Sequence, residues 1–304
     1  MRGILLRSMM SVGVFWTFLM MAQGQDLKIL SYNVMHGFEG DTARMSKYVE
    51  WLSKGIAPDI ALYQEMNGFT QQKLRDLAVR YGHENSVILN NESGHDATHP
   101  LAITSRFPIE DVEMHLDSMW HGYIYAKIRG IHFFVTHMAP FTLKDRQRDV
   151  ARIVAHALRL PKHSDVIIAG DFNSFSRSDA AEYDAELLAS MRRIEGRLEP
   201  KSGTPIVKNR IIYRNNLNEG EFDYSVTDAV LNAGFKDALR EKTGTFKNSV
   251  PVKANLKKNS KLRRIDYIWT SEELLKKVKE IDIIQDVYTD SLSDHYPILM
   301  TIRK

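Results

Sequence analysis

The sequence predicts a mixed α/β fold, built as one domain behind a short apolar leader. Three observations lead there. Short runs rich in β-branched and aromatic residues alternate with longer stretches of helical apolar spacing. Strand-like runs resume beyond Glu195–Lys261, a region frequent in Gly, Asn, Pro and Lys, so that region reads as loops within a domain and not as a linker. With 304 residues, 43% of them hydrophobic, the chain can bury a large core.

The leader comes first. Arg2 and Arg7 precede Met9–Ala22, an uncharged stretch rich in Val, Phe, Leu and Met, and Ala22-Gln23-Gly24 sets small residues where a signal peptidase reads. This is the layout of a secretory signal peptide over residues 1–24. The stretch is shorter than the ~20 apolar residues of a comfortable membrane span, and Ser11, Gly13 and Thr17 interrupt it. The expectation is therefore cleavage and export to the periplasm or the medium, with no stable membrane insertion; a retained anchor is the alternative. Cleavage leaves residues 25–304 with 39 basic against 38 acidic side chains. A near-neutral domain does not advertise a duplex nucleic-acid partner. Zero cysteine excludes disulfides, thiolate zinc sites, iron–sulfur clusters and cysteine nucleophiles.

Strands are predicted at Leu27–Val34, Ile60–Tyr63, Leu101–Thr104, Tyr123–Ile128, His132–Thr136 and Val166–Ala169. Ile265–Trp269 and Pro297–Ile302 have the same character. Helical spacing appears at Met45, Tyr48, Val49 and Leu52, and again at Val150, Ile153, Val154, Ala157 and Leu158. Val226–Leu239 has helix-like spacing inside the loop region, and Glu272–Lys279 reads as a shorter, charged helix.

Polar residues recur where these strands end. Asn33 closes Ser31-Tyr32-Asn33, Glu65 follows Tyr63-Gln64, and His137 follows Val135-Thr136. Asp171 and Asn173 close Gly170-Asp171-Phe172-Asn173, Asp266 lies in Arg264-Ile265-Asp266-Tyr267, and Asp294-His295 precede the last strand. Burying a bare carboxylate costs several kcal/mol unless it is paired or bound to a metal. One acid at a strand end is banal; six strands carrying such chemistry are not. Oxygen donors without thiolates suit a hard cation such as Mg²⁺ or Mn²⁺, which polarises phosphoryl oxygens, while His295 and His137 offer the proton handling that hydrolysis needs.

Taken in order, S-Y-N-V, Q-E, T-H, G-D-F-N-S, R-I-D-Y-I and S-D-H-Y-P-I resemble the metal-dependent endonuclease/exonuclease/phosphatase superfamily, and Ser105-Arg106-Phe107-Pro108-Ile109 matches another recurring segment of it. The resemblance runs from Leu27 to Ile302. It implies a four-layer αββα sandwich of two packed mixed β-sheets, with the site at one end. It implies Glu65 as the principal metal ligand, Asn33 beside it or on the phosphate, and Asp294 as a further metal-side carboxylate. The resemblance further implies that Asp171 orients or deprotonates the attacking water, that Asn173 holds the phosphate and that aspartate, and that His295, oriented by Asp266, stabilises the pentacovalent state. His137 falls near the scissile phosphate. Either Asp171 or His295 is the base.

One departure bears on metal number. Several DNA-repair members carry an acid two positions after the first-motif Asn, where this chain has Met35, followed by His36. That favours a single cation. His121 and Arg264 are tentative substrate contacts, the latter from the basic run Lys253–Arg264, and Trp120, Phe141 and Trp269 are candidates to line the cleft. His95 and His99 read as solvated loop residues, and nothing in the spacing of His36, His95, His99 and His121 demands a zinc site. The expectation is an exported, monomeric, Mg²⁺- or Mn²⁺-dependent phosphodiesterase acting on nucleic acid, a phospholipid head group or a small phosphate ester. The alternatives are a phosphomonoesterase on a phosphorylated metabolite or inositol phosphate, or a non-catalytic binding module.

Overall fold

In the computed structural model of the chain, the described residues are 26–90, 99–195, 207–208, 211–212 and 216–303. The predicted leader at 1–24, His95 and part of the Glu195–Lys261 region lie outside them. Among the described residues, no helix is long and apolar enough to cross a membrane.

The first sheet takes β1 (Leu27–Asn33), β2 (Ile60–Gln64), β3 (Asn85–Leu89) and β4 (Leu101–Ser105) from the start of the chain. The second takes β5 (Glu110–His115), β6 (Tyr123–Ile128), β7 (Ile131–His137) and β8 (Val166–Asp171). Two-residue strands β9 (Val207–Lys208) and β10 (Ile211–Ile212), then β11 (Leu217–Asn218) and β12 (Glu221–Phe222), form small hairpins apart from both. β13 (Lys236–Asp237) and β14 (Asp266–Thr270) complete the second sheet; β15 (Val278–Ile283) and β16 (Ile298–Ile302) complete the first. The spatial orders are β15-β16-β1-β2-β4-β3 and β13-β14-β8-β7-β6-β5.

Both sheets are mixed in the same way. Each has one parallel pair at its centre, β1 with β2 and β7 with β8, and antiparallel neighbours on both sides. A parallel pair needs a crossover, and helices supply it. α1 (Met35–Phe38) and α2 (Thr42–Trp51) lie between β1 and β2, and α4 (Leu143–Ala157) lies between β7 and β8; α3 (Gln71–Val79) follows β2. Side-chain caps start them: Asp41 accepts from the Ala43 and Arg44 amides, Thr70 from Lys73, and Thr142 from Asp145.

The strands read as continuous apolar runs because both their faces are buried. Ile29, Leu62, Ile103, Phe133, Val135, Ile167, Ile268 and Met300 meet between the sheets. Leu30, Tyr32 and Tyr63 point the other way, under Tyr48 and Trp51 of α2 and Leu74 and Leu77 of α3. Phe134, Ile168, Tyr267 and Trp269 pack under Val150 and Ile153 of α4 and Val226 and Val230 of α6 (Ser225–Asn232). The layers are therefore helix, sheet, sheet, helix. A satellite cluster of Phe175, Tyr183, Leu187 and Met191 seats α5 (Ala185–Ile194) at one side.

Several expectations shift. Val226–Leu239 is not one helix: α6 ends at Asn232, β13 intervenes, and α7 (Ala238–Thr243) follows. The charged helix α8 (Glu272–Lys277) stops early and runs into β15, while α9 (Thr289–Leu292) leads to the last strand. Trp269 belongs to the core and not to a cleft.

Candidate active site

Parallel strands present their carboxyl ends together, and ligands of open α/β sheets gather there. Asn33 ends β1, Glu65 follows β2, His137 ends β7 and Asp171 ends β8. Register does the rest: Asn33 lies opposite Gln64, His137 opposite Asp171, and Asp171 opposite Asp266 of β14. Two residues of this set are held in the left-handed region, Glu65 at φ 62° and Asn173 at φ 46°. Non-glycine residues adopt that conformation at a cost, and such strain concentrates at functional sites. Gly170 answers a closer demand, since at φ 135° a Cβ there would stand 1.9 Å from the Thr136 carbonyl oxygen.

Asp171 is the hub. Its Oδ2 accepts from Asn33 Nδ2 at 3.1 Å and faces His137 Nε2 at 3.4 Å and His295 Nε2 at 3.7 Å. Its Oδ1 accepts from the Asn173 amide at 2.8 Å, and Asn173 Nδ2 donates to the Met138 carbonyl. Asn33 Nδ2 also donates to Glu65 Oε1 at 3.1 Å, while Asn33 Oδ1 accepts from the Met35 amide. Asn33 thus ties two carboxylates together through its amide nitrogen, while its oxygen accepts from the backbone next to Glu65 with a second lone pair left over. His295 Nδ1 donates to Asp266 Oδ2 at 2.8 Å.

The charges are strongly coupled. Burial would lower the His295 pKa, but the Asp266 and Asp171 carboxylates outweigh it and raise the imidazole well above its ordinary range. His137 is likewise raised against its burial by the hydrogen bond and charge of Asp171, then by Glu65. Asp171 is buried yet held low by His295 and His137. Asp266 moves up, through burial and then repulsion by Asp171. The centre interleaves carboxylates with imidazoles whose hold on a proton those carboxylates strengthen.

These residues open onto a cavity of about 550 Å³. Glu65, 15% exposed against 2% for Asp171, is the more accessible of these two carboxylates on its wall. Trp120, Phe141 and Pro140 add an apolar part to the lining, with Trp120 and Phe141 ring centroids 6.1 Å apart at 72°. His121, His99 and His36 complete the wall. His99 joins the cavity in spite of its reading as a solvated loop residue; only the fold, which brings it 4.7 Å from the His121 ring, reveals this.

Two expected residues fall elsewhere. Arg264 is buried, bonded to Asp179 and Asp237, and stacked 4.6 Å over Tyr267, so it is a structural strut and not a substrate contact. Asp294 is half-buried in an adjoining depression with Asn173, His295 and Arg263, and no closely spaced ligand group among the described residues contains it.

Fold and site together define a phosphoric ester hydrolase. Residues 30–295 match the Endonuclease/Exonuclease/phosphatase family, and the chain belongs to it. Members are divalent-metal-dependent phosphoester hydrolases, and the carboxylate and imidazole donors here fit a divalent cation. Glu65 is the residue best placed to hold it.

An AP endonuclease from Archaeoglobus fulgidus shares the fold, with a TM-score of 0.64 and 20% identity over 91% of this chain and 100% of that one. So does the 3' phosphatase NExo from Neisseria bound to product DNA hairpin, at TM-score 0.64 and 19% identity over 91% and 99%. A 3'-5' exonuclease (NExo) from Neisseria meningitidis matches with TM-score 0.64 and 19% identity over 91% and 100%. No curated protein matches by sequence.

Proposed function

We propose that this chain is an exported phosphodiesterase that cleaves phosphodiester bonds in nucleic acid, with Mg²⁺ or Mn²⁺ as cofactor. The observation that carries it is the His295–Asp266 pair set against the Asp171–Asn173 turn at one end of the cavity. His295, clamped between two carboxylates, is an imidazolium that stabilises negative charge gathering on the phosphoryl oxygens. Asp171, ionised and held by Asn33 and Asn173, accepts a hydrogen bond from the attacking water and aligns it. His137 lies within reach of the same phosphate group. The cation held at Glu65 supplies Lewis-acid polarisation of the phosphoryl oxygen. The Trp120–Phe141 wall suits stacking by a base or sugar, which favours a nucleic-acid fragment over a bare phosphate ester. DNA on the structurally similar Neisseria phosphatase points the same way.

Turnover of DNA, bis-p-nitrophenyl phosphate, sphingomyelin and inositol phosphates, each with Mg²⁺ or Mn²⁺ and with chelator, tests the proposal. DNA should be cleaved fastest and chelator should stop it. Preferred hydrolysis of an inositol phosphate or sphingomyelin would overturn the substrate assignment. Export is tested by fractionating cells and sequencing the N-terminus of the recovered protein, where a start at Gln25 is expected.

A further inference from the structure

We infer that His36, Glu65 and His99 form a second cation position, outboard of the first and selective for a borderline divalent ion such as Zn²⁺ or Co²⁺. One ligand atom from each of the three lies within 4.8 Å of the others. Two ligands each ~2.1 Å from a shared ion lie at most ~4.2 Å apart, so a small closing shift completes the site. The inference rests on the phosphoesterase reading only in giving Glu65 to the first cation.

The two oxygens of Glu65 point to different places. Oε1 faces inward, accepting from Asn33 Nδ2 at 3.1 Å and lying 3.8 Å from His137 Nε2. Oε2 faces outward, accepting from the His36 amide at 3.0 Å with His36 Nδ1 3.4 Å away. A carboxylate so divided can bridge two ions.

The backbone that carries His36 is unusual. Met35, His36, Gly37, Phe38 and Glu39 all have positive φ, from 49° to 66°, making one left-handed turn in which four of five residues are not glycine. L-residues resist this conformation, and it persists only where surroundings impose it. Here the Gly37 amide donates to the Glu65 carbonyl at 2.6 Å, and a Cβ on Gly37 would stand 2.0 Å from the Asn67 carbonyl oxygen. The turn therefore locks His36 to the Glu65 backbone. From the other side, His99 brings its ring within 5.3 Å of His36 and 4.7 Å of the buried His121. Two imidazoles and one carboxylate with open positions favour a transition ion over Mg²⁺. Where Met35 leaves the first motif without a second acid, the next residue supplies the ligand.

The full chain is titrated with Co²⁺ while absorption and bound metal per chain are read, with circular dichroism and thermal midpoint as controls. Two Co²⁺ per wild-type chain are expected, and one in a His36→Asn, His99→Gln double variant; Asn tolerates the left-handed turn. Pulsed electron paramagnetic resonance of the Mn²⁺-loaded wild type should show imidazole nitrogen coupling that the double variant reduces. A single Co²⁺ in the wild type, or two retained in a folded double variant, would overturn the inference. If the double variant fails to fold, the wild-type stoichiometry and nitrogen coupling decide alone. A wild type that binds two ions but hydrolyses no phosphoester would sink the function and leave the metal position standing.

Discussion

His295 and Asp171 stand 3.7 Å apart in the interior, one a base and the other an acid. Each is buried, and each is stabilised in its ionised form by the other. His295→Ala and Asp171→Asn should each lower kcat by at least ~10²-fold in steady-state assays, with thermal midpoints showing that the fold survives. Near-full activity in either variant would remove that residue from the mechanism. A second histidine makes a prediction of the opposite sort. His83 is buried, donates from Nε2 to the Pro58 carbonyl and accepts at Nδ1 from Thr104, and burial brings its pKa from 6.5 down to about 4. The unfolded chain then binds the proton more readily than the folded one. Stability is therefore complete above pH 6.5 and is lost as pH falls toward 4, by up to about 3 kcal/mol. In His83→Gln, the urea midpoint should change less than in the wild type over that interval; parallel pH profiles would refute the claim. The chemistry-bearing residues were legible because Asp and His at the ends of apolar strands are conspicuous. Arg264 is not legible in the same way, because a basic run looks alike whether solvated or, as here, paired inside with Asp179 and Asp237. His99 carries no local signal, since its partners come from strands remote in sequence.

At the level of elements, legibility follows position in the sheet. Central strands β1, β2, β4, β6, β7, β8, β14 and β16 have two buried faces and show as apolar runs. Within the two six-stranded sheets, the strands without a sequence signal, β3, β5, β13 and β15, are the four edges, and the two-residue strands β9 to β12 are too short to give one. Edge strands carry polar residues and break the pattern, as Glu110-Asp111-Val112-Glu113 of β5 does. Central strands also tolerate the least intrusion. Gly170→Ala, with its Cβ driven against Thr136 at a positive φ, should cost roughly 3 kcal/mol or more of unfolding free energy in urea melts. It should also reduce turnover out of proportion to the stability lost, because Gly170 precedes Asp171 in β8. Wild-type stability in this variant would show that the strand bends to accept a methyl group, and that the glycine is not what sets the position of Asp171.

The whole molecule is two sheets of matched topology whose parallel strands discharge at a common end. Asn33 and Glu65 come from the first sheet, His137, Asp171 and Asp266 from the second, and one amide, Asn33 Nδ2, already bonds a carboxylate from each. A cation held there joins the layers across the seam where their packing gives way to polar groups. Because the unfolded chain scatters these donors over more than 200 residues, it has no comparable affinity, and metal must stabilise the folded state by mass action. At a concentration 100 times the dissociation constant the gain is about 2.7 kcal/mol, or roughly 5 °C in thermal midpoint for a domain of this size. Mg²⁺ or Mn²⁺ added after chelator treatment should produce that rise in the wild type. Glu65→Gln keeps the shape of the side chain and removes its charge, and should lose most of the rise. An equal rise in that variant would mean that the ion binds elsewhere, and Glu65 would cease to be the first cation's ligand.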